Sequence, residues 1–256
     1  MKHFAVIGSP IAHSRSPEIY ERFFIKYGVD ADFVRIKVEP EELCKIHSIT
    51  KELSGFAVTM PLKRRIIQYL DRIESTASAC GAVNIVEKRD NKLIGHNTDG
   101  DGLVDALLEA GVDPAGKTAL ILGRGGAAHS AAAALERHNC RVELLVRSIG
   151  GNLDTDKEYS RLFPERLISN TLPHADIFIN ATPLGMRNAD DFNDFGFIES
   201  IEPDTVFDMV YLTDGSTRLF QEARKRGIRA IDGSRMLYMQ AVRAFEIFTG
   251  IKADRG

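Results

Sequence analysis

Three groups of residues in this chain carry chemistry. The first is Gly95-His96-Asn97-Thr98-Asp99-Gly100, and the second is Lys63, well upstream of it. The third is the glycine-rich turn Gly123-Arg124-Gly125-Gly126-Ala127-Ala128. A lysine and an aspartate beside a nucleotide loop combine proton transfer with hydride transfer, the chemistry that interconverts an alcohol and a ketone. Reducing a ketone requires a hydride at carbon and a proton at oxygen. A lysine ammonium can stabilise the developing alkoxide and then donate the proton. A neighbouring carboxylate orients that ammonium and favours its charged form, whereas burial favours the neutral amine, so the two effects compete.

The elements around the glycine-rich turn follow a defined order. Thr118-Ala119-Leu120-Ile121-Leu122 is a continuous apolar strand, an alanine-rich helix is expected over 129–138, and a second strand over 141–146. In Gly123-x-Gly125-x-x-Ala128 the first glycine permits a tight turn and the second lets backbone approach a pyrophosphate. The small third residue lets helix and strand pack closely. The free N–H groups and positive dipole end of the helix then face the phosphates, so Gly123, Gly125, Gly126, Ala127 and Ala128 are candidate dinucleotide ligands. An acidic residue at the end of the second strand would bind a ribose 2′-hydroxyl. This chain has Val146-Arg147-Ser148 there. Arg147 can meet a 2′-phosphate and lie against an adenine, and Ser148 adds a hydroxyl, so NADP is favoured over NAD.

Length and composition bound the remaining readings. With 256 residues, 44% of them apolar and 27% charged, the chain is an ordinary globular protein with room for one large or two moderate cores. The net charge is −3 and the basic residues are scattered, which excludes a nucleic-acid footprint. Cys44, Cys80 and Cys140 have neither disulfide nor zinc spacing, so no metal site is expected and the compartment reads as reducing. No stretch approaches the roughly 20 apolar residues of a membrane span, and the apolar start is too short for a signal peptide, so the expected location is the cytoplasm.

Along the chain, strands are expected over 4–7, 33–38, 56–59, 82–86 and 92–94, the last two paired around a polar turn at 88–91. Ser16-Pro17-Glu18 reads as a helix start with Ser16 as N-cap, and 63–70 reads as helical. The texture changes near residue 100, where a helix over 101–110 begins an alternation of strands and helices that marks a parallel sheet covered on both faces. Further strands are expected over 176–180 and 206–209, and a final helix over 236–248. The glycine-rich stretch around 150–152 reads as the most flexible loop. The fold class is therefore α/β, with two α/β domains and a cleft between them. One is an N-terminal substrate domain over 1–100, with 233–256 packing back on it. The other is a Rossmann-like nucleotide domain over 101–232.

The loop Gly8-Ser9-Pro10-Ile11-Ala12-His13-Ser14-Arg15-Ser16-Pro17 places two hydroxyls at a helix N-terminus, a setting that suits a small carboxylate. With this loop the chain resembles the shikimate dehydrogenase family. The matching stretches run in family order: Val58-Thr59-Met60-Pro61-Leu62-Lys63, Gly81-Ala82-Val83-Asn84, Asn97-Thr98-Asp99-Gly100, the glycine-rich turn, Asn180-Ala181-Thr182-Pro183-Leu184-Gly185-Met186, Asp208-Met209-Val210-Tyr211, and Met236-Leu237-x-x-Gln240-Ala241.

The resemblance implies NADPH-linked reduction of 3-dehydroshikimate to shikimate, on the route to aromatic amino acids; the expected assembly, monomer or homodimer, is left open by the sequence. It implies Lys63 and Asp99 as the catalytic pair, and Ser14 and Ser16 on the substrate carboxylate. Thr59, Asn84, Gln240 and Tyr211 would be further substrate ligands, and Thr182, Met186, Met209 and Gly233 would lie around the nicotinamide. The chain departs from the family pattern at Ala57, where an asparagine usually precedes Val-Thr, and at Thr213, where a proline is usual. It also has Val146-Arg147-Ser148 for the usual Asn-Arg-Thr, with no second basic residue in Ile149-Gly150-Gly151-Asn152. Two alternatives stay open: a relative acting on quinate or another cyclic hydroxy acid, and a nucleotide sensor without turnover.

Overall fold

A computed structural model describes residues 1–12, 14–145, 174–187, 189–192, 194–212 and 214–255. The chain divides into two compact units, one formed by Met1–Leu103 with Leu237–Gly256, the other by Val104–Met236. Among the described residues no helix is long and apolar enough to cross a membrane.

The first unit is built on a six-stranded sheet of β1 (Lys2–Gly8), β2 (Ala31–Lys37), β3 (Gly55–Val58), β4 (Arg72–Ile73), β5 (Ile85–Arg89) and β6 (Lys92–His96), in the order β2-β1-β3-β5-β6-β4. Strand β5 is antiparallel to both β3 and β6; the other pairings among the described residues are parallel. Successive strand residues point to opposite faces, and here both faces are covered. Phe4, Val6, Ala57 and Ile85 enter one apolar cluster, while Ala5, Ile7, Phe56, Val58 and Val86 enter another. That explains why β1 reads as a continuous apolar run rather than an alternating one.

The first cluster is completed by α1 (Ser16–Tyr27) and α8 (Gly233–Thr249), through Tyr20, Phe23 and Phe24 of the former and Ala241, Val242, Phe245 and Phe248 of the latter. Tyr20 stacks on Phe33 at 4.2 Å between ring centroids, almost coplanar. Over the other face lie α2 (Ile46–Ile49) and α3 (Ser75–Cys80), with 3₁₀ turns at Pro40–Lys45 and Arg65–Tyr69.

Several expectations need correction. Ser16 is already the first helical residue of α1, Arg15 occupies the N-cap position, and no side chain caps the helix. A residue with helical backbone angles cannot swing its own side chain back over the following N–H groups. Lys63 lies in a turn, and only Arg65–Tyr69 is helical, as a 3₁₀ segment. The strand expected over 82–86 begins only at Ile85.

The second unit carries a five-stranded, fully parallel sheet in the order β11-β10-β9-β7-β8. Its strands are β7 (Thr118–Leu122), β8 (Arg141–Leu145), β9 (Ile177–Asn180), β10 (Thr205–Asp208) and β11 (Arg229–Asp232). Helices α5 (Gly126–Arg137), α6 (Phe197–Ile201) and α7 (Arg218–Lys225) belong to this unit, and α4 (Asp99–Glu109) runs across the division between the two. Strand β7 crosses to β8 through α5, the βαβ arrangement of a nucleotide-binding sheet.

Candidate active site

Strand direction decides which loops of the first unit meet. Strands β1, β3 and β6 run the same way, so the segments that leave their C-terminal ends share one rim of the sheet. These are the loop holding Ser14, the turn holding Thr59 and Lys63, and the segment 97–99. Because β5 runs the other way, its starting end, next to Asn84, lies on that same rim. Open α/β sheets bind ligands at this rim.

Backbone bonds fix these segments to one another. Thr59 N–H donates to Ile7 O at 2.9 Å, Ser9 N–H to Met60 O at 3.2 Å, Val58 N–H to Asn84 O at 2.7 Å, and Val83 N–H to Lys63 O at 2.8 Å.

On this rim Lys63 Nζ donates to Asp99 Oδ2. The lysine side chain is 21% exposed and the aspartate 9%, so the pair is largely withdrawn from water yet reachable at the lysine end. Asn84 Nδ2 donates to Asp99 Oδ1 at 2.8 Å and Thr98 Oγ1 at 2.9 Å, and lies 3.3 Å from Gln240 Oε1. Asn84 Oδ1 accepts the Thr98 N–H at 2.9 Å. The Asp99 N–H is taken by Asn97 Oδ1 at 3.0 Å in a local turn just before α4, which leaves the Asp99 carboxylate free for Lys63 and Asn84.

Gln240 reaches Thr98 because Gly102 has no side chain: a Cβ there would stand 2.8 Å from the Gln240 backbone nitrogen. Lys63, Asp99, Asn84 and Gln240 thus form one connected group, and Thr59 sits on the same turn as Lys63.

Ser14 and Ser16 are joined by a 3.2 Å bond from Ser14 Oγ to Ser16 Oγ. The loop is held by a residue that pattern reading missed. Arg35 on β2 donates to Ser14 O through Nε at 2.9 Å and Nη2 at 2.6 Å, and Nη2 also pairs with Glu18. Nothing local in the sequence marks Arg35, since the contact joins distant positions.

The second unit carries the glycine-rich turn. Gly123 has φ of +131°, and a Cβ there would lie 3.0 Å from Ala181 O, so both conformation and space require glycine. Gly125 caps α5 without any side-chain bond to the first helical turn, and the space beside it is open. Ala128 is fully buried against the sheet. The backbone N–H groups of Gly126, Ala127 and Ala128 are therefore available to an anion, and this cradle fits a dinucleotide pyrophosphate.

Beyond β9, Asn180 Oδ1 accepts from Thr182 N–H at 3.1 Å and Thr182 Oγ1 at 2.6 Å. Its amide donates to Leu184 O at 3.1 Å and Asp208 Oδ1 at 2.9 Å. Asp208 also accepts from Val210 N–H at 3.1 Å and Thr217 Oγ1 at 2.6 Å. Burial pushes the Asp208 carboxyl up to about 6, against the three hydrogen bonds that favour its charged form. Asn180 and Asp208 thereby tie the segment bearing Thr182 and Met186 to the one bearing Met209. Gly233 joins the latter through its N–H to Val210 O at 3.4 Å. Tyr211 belongs to this unit, not to the unit that holds the other candidate substrate ligands. Arg147, Ser148 and the loop around 150–152 lie outside the described residues.

A βαβ nucleotide cradle on a parallel sheet, together with a lysine–carboxylate pair on a second α/β unit, defines a dinucleotide-linked dehydrogenase of the α/β class. Residues 6–86 match the family of shikimate dehydrogenase substrate binding domains. Shikimate dehydrogenase (NADP(+)) of Rubrobacter xylanophilus is 38% identical over 98% of this chain and 92% of its own. The structure of the Thermus thermophilus shikimate 5-dehydrogenase in complex with NADP(H) and shikimate superposes with a TM-score of 0.83 at 28% identity. That match covers 100% of this chain and 96% of the other. The 5-ketofructose reductase of Gluconobacter sp. strain CHM43 superposes with a TM-score of 0.80 at 29% identity, covering 99% and 95%. The chain belongs to the shikimate dehydrogenase family.

Proposed function

We propose that this chain is a cytoplasmic NADP-linked oxidoreductase that interconverts 3-dehydroshikimate and shikimate, with Lys63 and Asp99 as its catalytic pair. The observation that carries this reading is the part-buried contact of Lys63 with Asp99, made from two separate loops at the C-terminal rim of the sheet. Its near relatives are named for the same NADP-linked activity.

NADPH, when bound, supplies the hydride that reaches the carbonyl carbon. Gly123, Gly125, Gly126, Ala127 and Ala128 would hold its pyrophosphate, Arg147 and Ser148 the 2′-phosphate, and Thr182, Met186, Met209 and Gly233 the nicotinamide end. Lys63 donates a hydrogen bond to the ketone oxygen and then transfers a proton to it as the C=O bond becomes CH–OH. Asp99 orients the ammonium and balances its charge. Asn84 holds Asp99 in place, and Gln240 and Thr59 address the neighbouring ring hydroxyls. The Ser14 and Ser16 hydroxyls donate to the ring carboxylate, and Tyr211 is a further ligand of the acid.

The test is direct: mix purified protein with shikimate and NADP and follow the absorbance of reduced cofactor. A rise is expected; a flat trace with both NADP and NAD overturns the reading. Ala57, a small residue two positions before Thr59, favours a second reading, a relative acting on quinate or another cyclic hydroxy acid. Turnover on quinate exceeding that on shikimate would select it.

A further inference from the structure

Strand β2 stands at the edge of the first sheet, and its register pairs Arg35 with Val6 of β1. Side chains alternate between the faces of a strand, so Arg35 shares the face of Phe33, which enters the cluster completed by α1, while Ile36 packs on the other face. The Arg35 side chain is 32% exposed, and its head is engaged with two neighbours. Nε and Nη2 both donate to Ser14 O, at 2.9 and 2.6 Å, and Nη2 also pairs with Glu18 in the first turn of α1. A planar, charged donor fork closed on one carbonyl is both strong and directional.

The carbonyl held in this way belongs to a residue whose hydroxyl would meet the substrate carboxylate. Ser14 N–H donates to Ile11 O at 3.1 Å, and Ser14 Oγ accepts from Ser16 N–H at 3.4 Å and donates to Ser16 Oγ at 3.2 Å. These bonds shape the loop from within, and no side chain caps α1 to fix the way the loop enters it. The fork from Arg35 ties the loop to the sheet. Hydrogen bonds weaken steeply as distance and angle depart from the optimum, so the seating of Ser14 on β2 decides how well its hydroxyl and that of Ser16 meet an anion. Glu18 offsets the guanidinium charge, so Arg35 contributes position to this subsite more than attraction.

We propose that Arg35 is a positioning residue for the carboxylate subsite: by holding the Ser14 carbonyl it sets the Ser14 and Ser16 hydroxyls, and so fixes the preference for a carboxylate over an uncharged group at that place. This deepens the proposed function and rests on it. The partners of Arg35 are Ser14 and Glu18, whereas Lys63 is paired with Asp99. The effect of Arg35 therefore falls on binding of the acid and not on transfer of hydride and proton. Lysine is an incomplete replacement, because an ammonium carries a point charge without the planar fork.

The test compares Arg35→Ala and Arg35→Lys with the wild type on shikimate and on its carboxamide, the latter as substrate or, where it does not turn over, as competitive inhibitor. For Arg35→Ala, KM for shikimate should rise about 3- to 10-fold, in line with the loss of one hydrogen bond to the carboxylate. kcat should stay within about 2-fold and KM for NADP should be unchanged. The preference for acid over carboxamide should shrink by a similar factor, and Arg35→Lys should recover part of it. Because Arg35 acts through Ser14, the double variant S14A/R35A should have nearly the KM of S14A alone. Equal losses on acid and carboxamide, additive losses in the double variant, or a wild-type KM for shikimate in Arg35→Ala overturns the proposal. An exposed ion pair contributes little to stability, so Arg35→Ala should fold; if it does not, Arg35→Lys carries the same comparisons, and wild-type kinetics there overturn the proposal. An inert wild type overturns the functional reading and this inference with it. An active wild type whose preference for the acid survives in the Arg35 variants overturns the Arg35 role alone.

Discussion

Asn84 holds Asp99 from the side opposite Lys63: its amide donates to Oδ1 at 2.8 Å, while the lysine takes Oδ2. Both oxygens of one carboxylate are thus engaged, and the lysine is directed by a group that cannot itself rotate away.

Lys63→Ala should lower kcat by at least about 100-fold while raising KM for shikimate only a few-fold, because proton donation to the developing alkoxide acts in the transition state. Asp99→Asn should lower kcat less, since it keeps the shape and loses the charge that steers the ammonium. Steady-state kinetics on shikimate and NADP check both. Comparable losses in kcat and binding for Lys63→Ala would mean that the lysine only holds the substrate.

Gly102→Ala tests the contact between α4 and α8. The new Cβ would stand 2.8 Å from backbone nitrogen and 2.9 Å from the Cβ of Gln240, so one helix must move. A loss of about 1–3 kcal/mol of stability is expected, the usual cost of overpacking. KM for shikimate should rise as well, because Gln240 is pushed from Thr98. Denaturant unfolding and initial rates measure the two effects, and a variant as stable and active as wild type would show that the approach has slack.

Asp208 gives the second unit a pH dependence with a definite sign. Its folded-state pKa is raised to about 6 from an ordinary value of 3.8, so between those values the folded chain keeps a proton that the unfolded chain has lost. Stability from this group is therefore full below about pH 4, falls as pH rises toward 6, and is flat above that. Compared with Asp208→Asn, the wild type should lose on the order of 2–3 kcal/mol of stability across that window. Parallel stability–pH curves for the two proteins would contradict the assignment.

What could be read from the sequence was what local rules control. Strand β7 falls on the expected residues because its apolar run is bounded on both sides, and Gly123 and Gly125 stand where a tight turn and an uncapped helix start require them. The helix start at Ser16 was legible, but its capping was not, since a one-residue shift decides whether a serine caps a helix or faces a neighbour. The helix expected after Pro61 shrank to a 3₁₀ turn, because the Lys63 carbonyl is committed to Val83 and Lys63 itself to Asp99. Arg35 was missed, and Asn97 and Asp208 were named only as members of motifs without a role, for a common reason: each acts through a tertiary partner or a local turn that spacing does not encode.

The β5–β6 hairpin has a consequence for how this chain can change. Asn84 enters it and Asp99 follows its exit, so both ends sit at the reacting margin. Its reversal, at Asp90 and Asn91 with φ of 51° and 61°, lies at the opposite end of the same two strands. Extra residues inserted at that reversal would lengthen the distant tip without altering the separation of amide and carboxylate. The hairpin therefore gives this chain a place to acquire new surface, or a new attachment, away from the margin that holds Asn84 and Asp99.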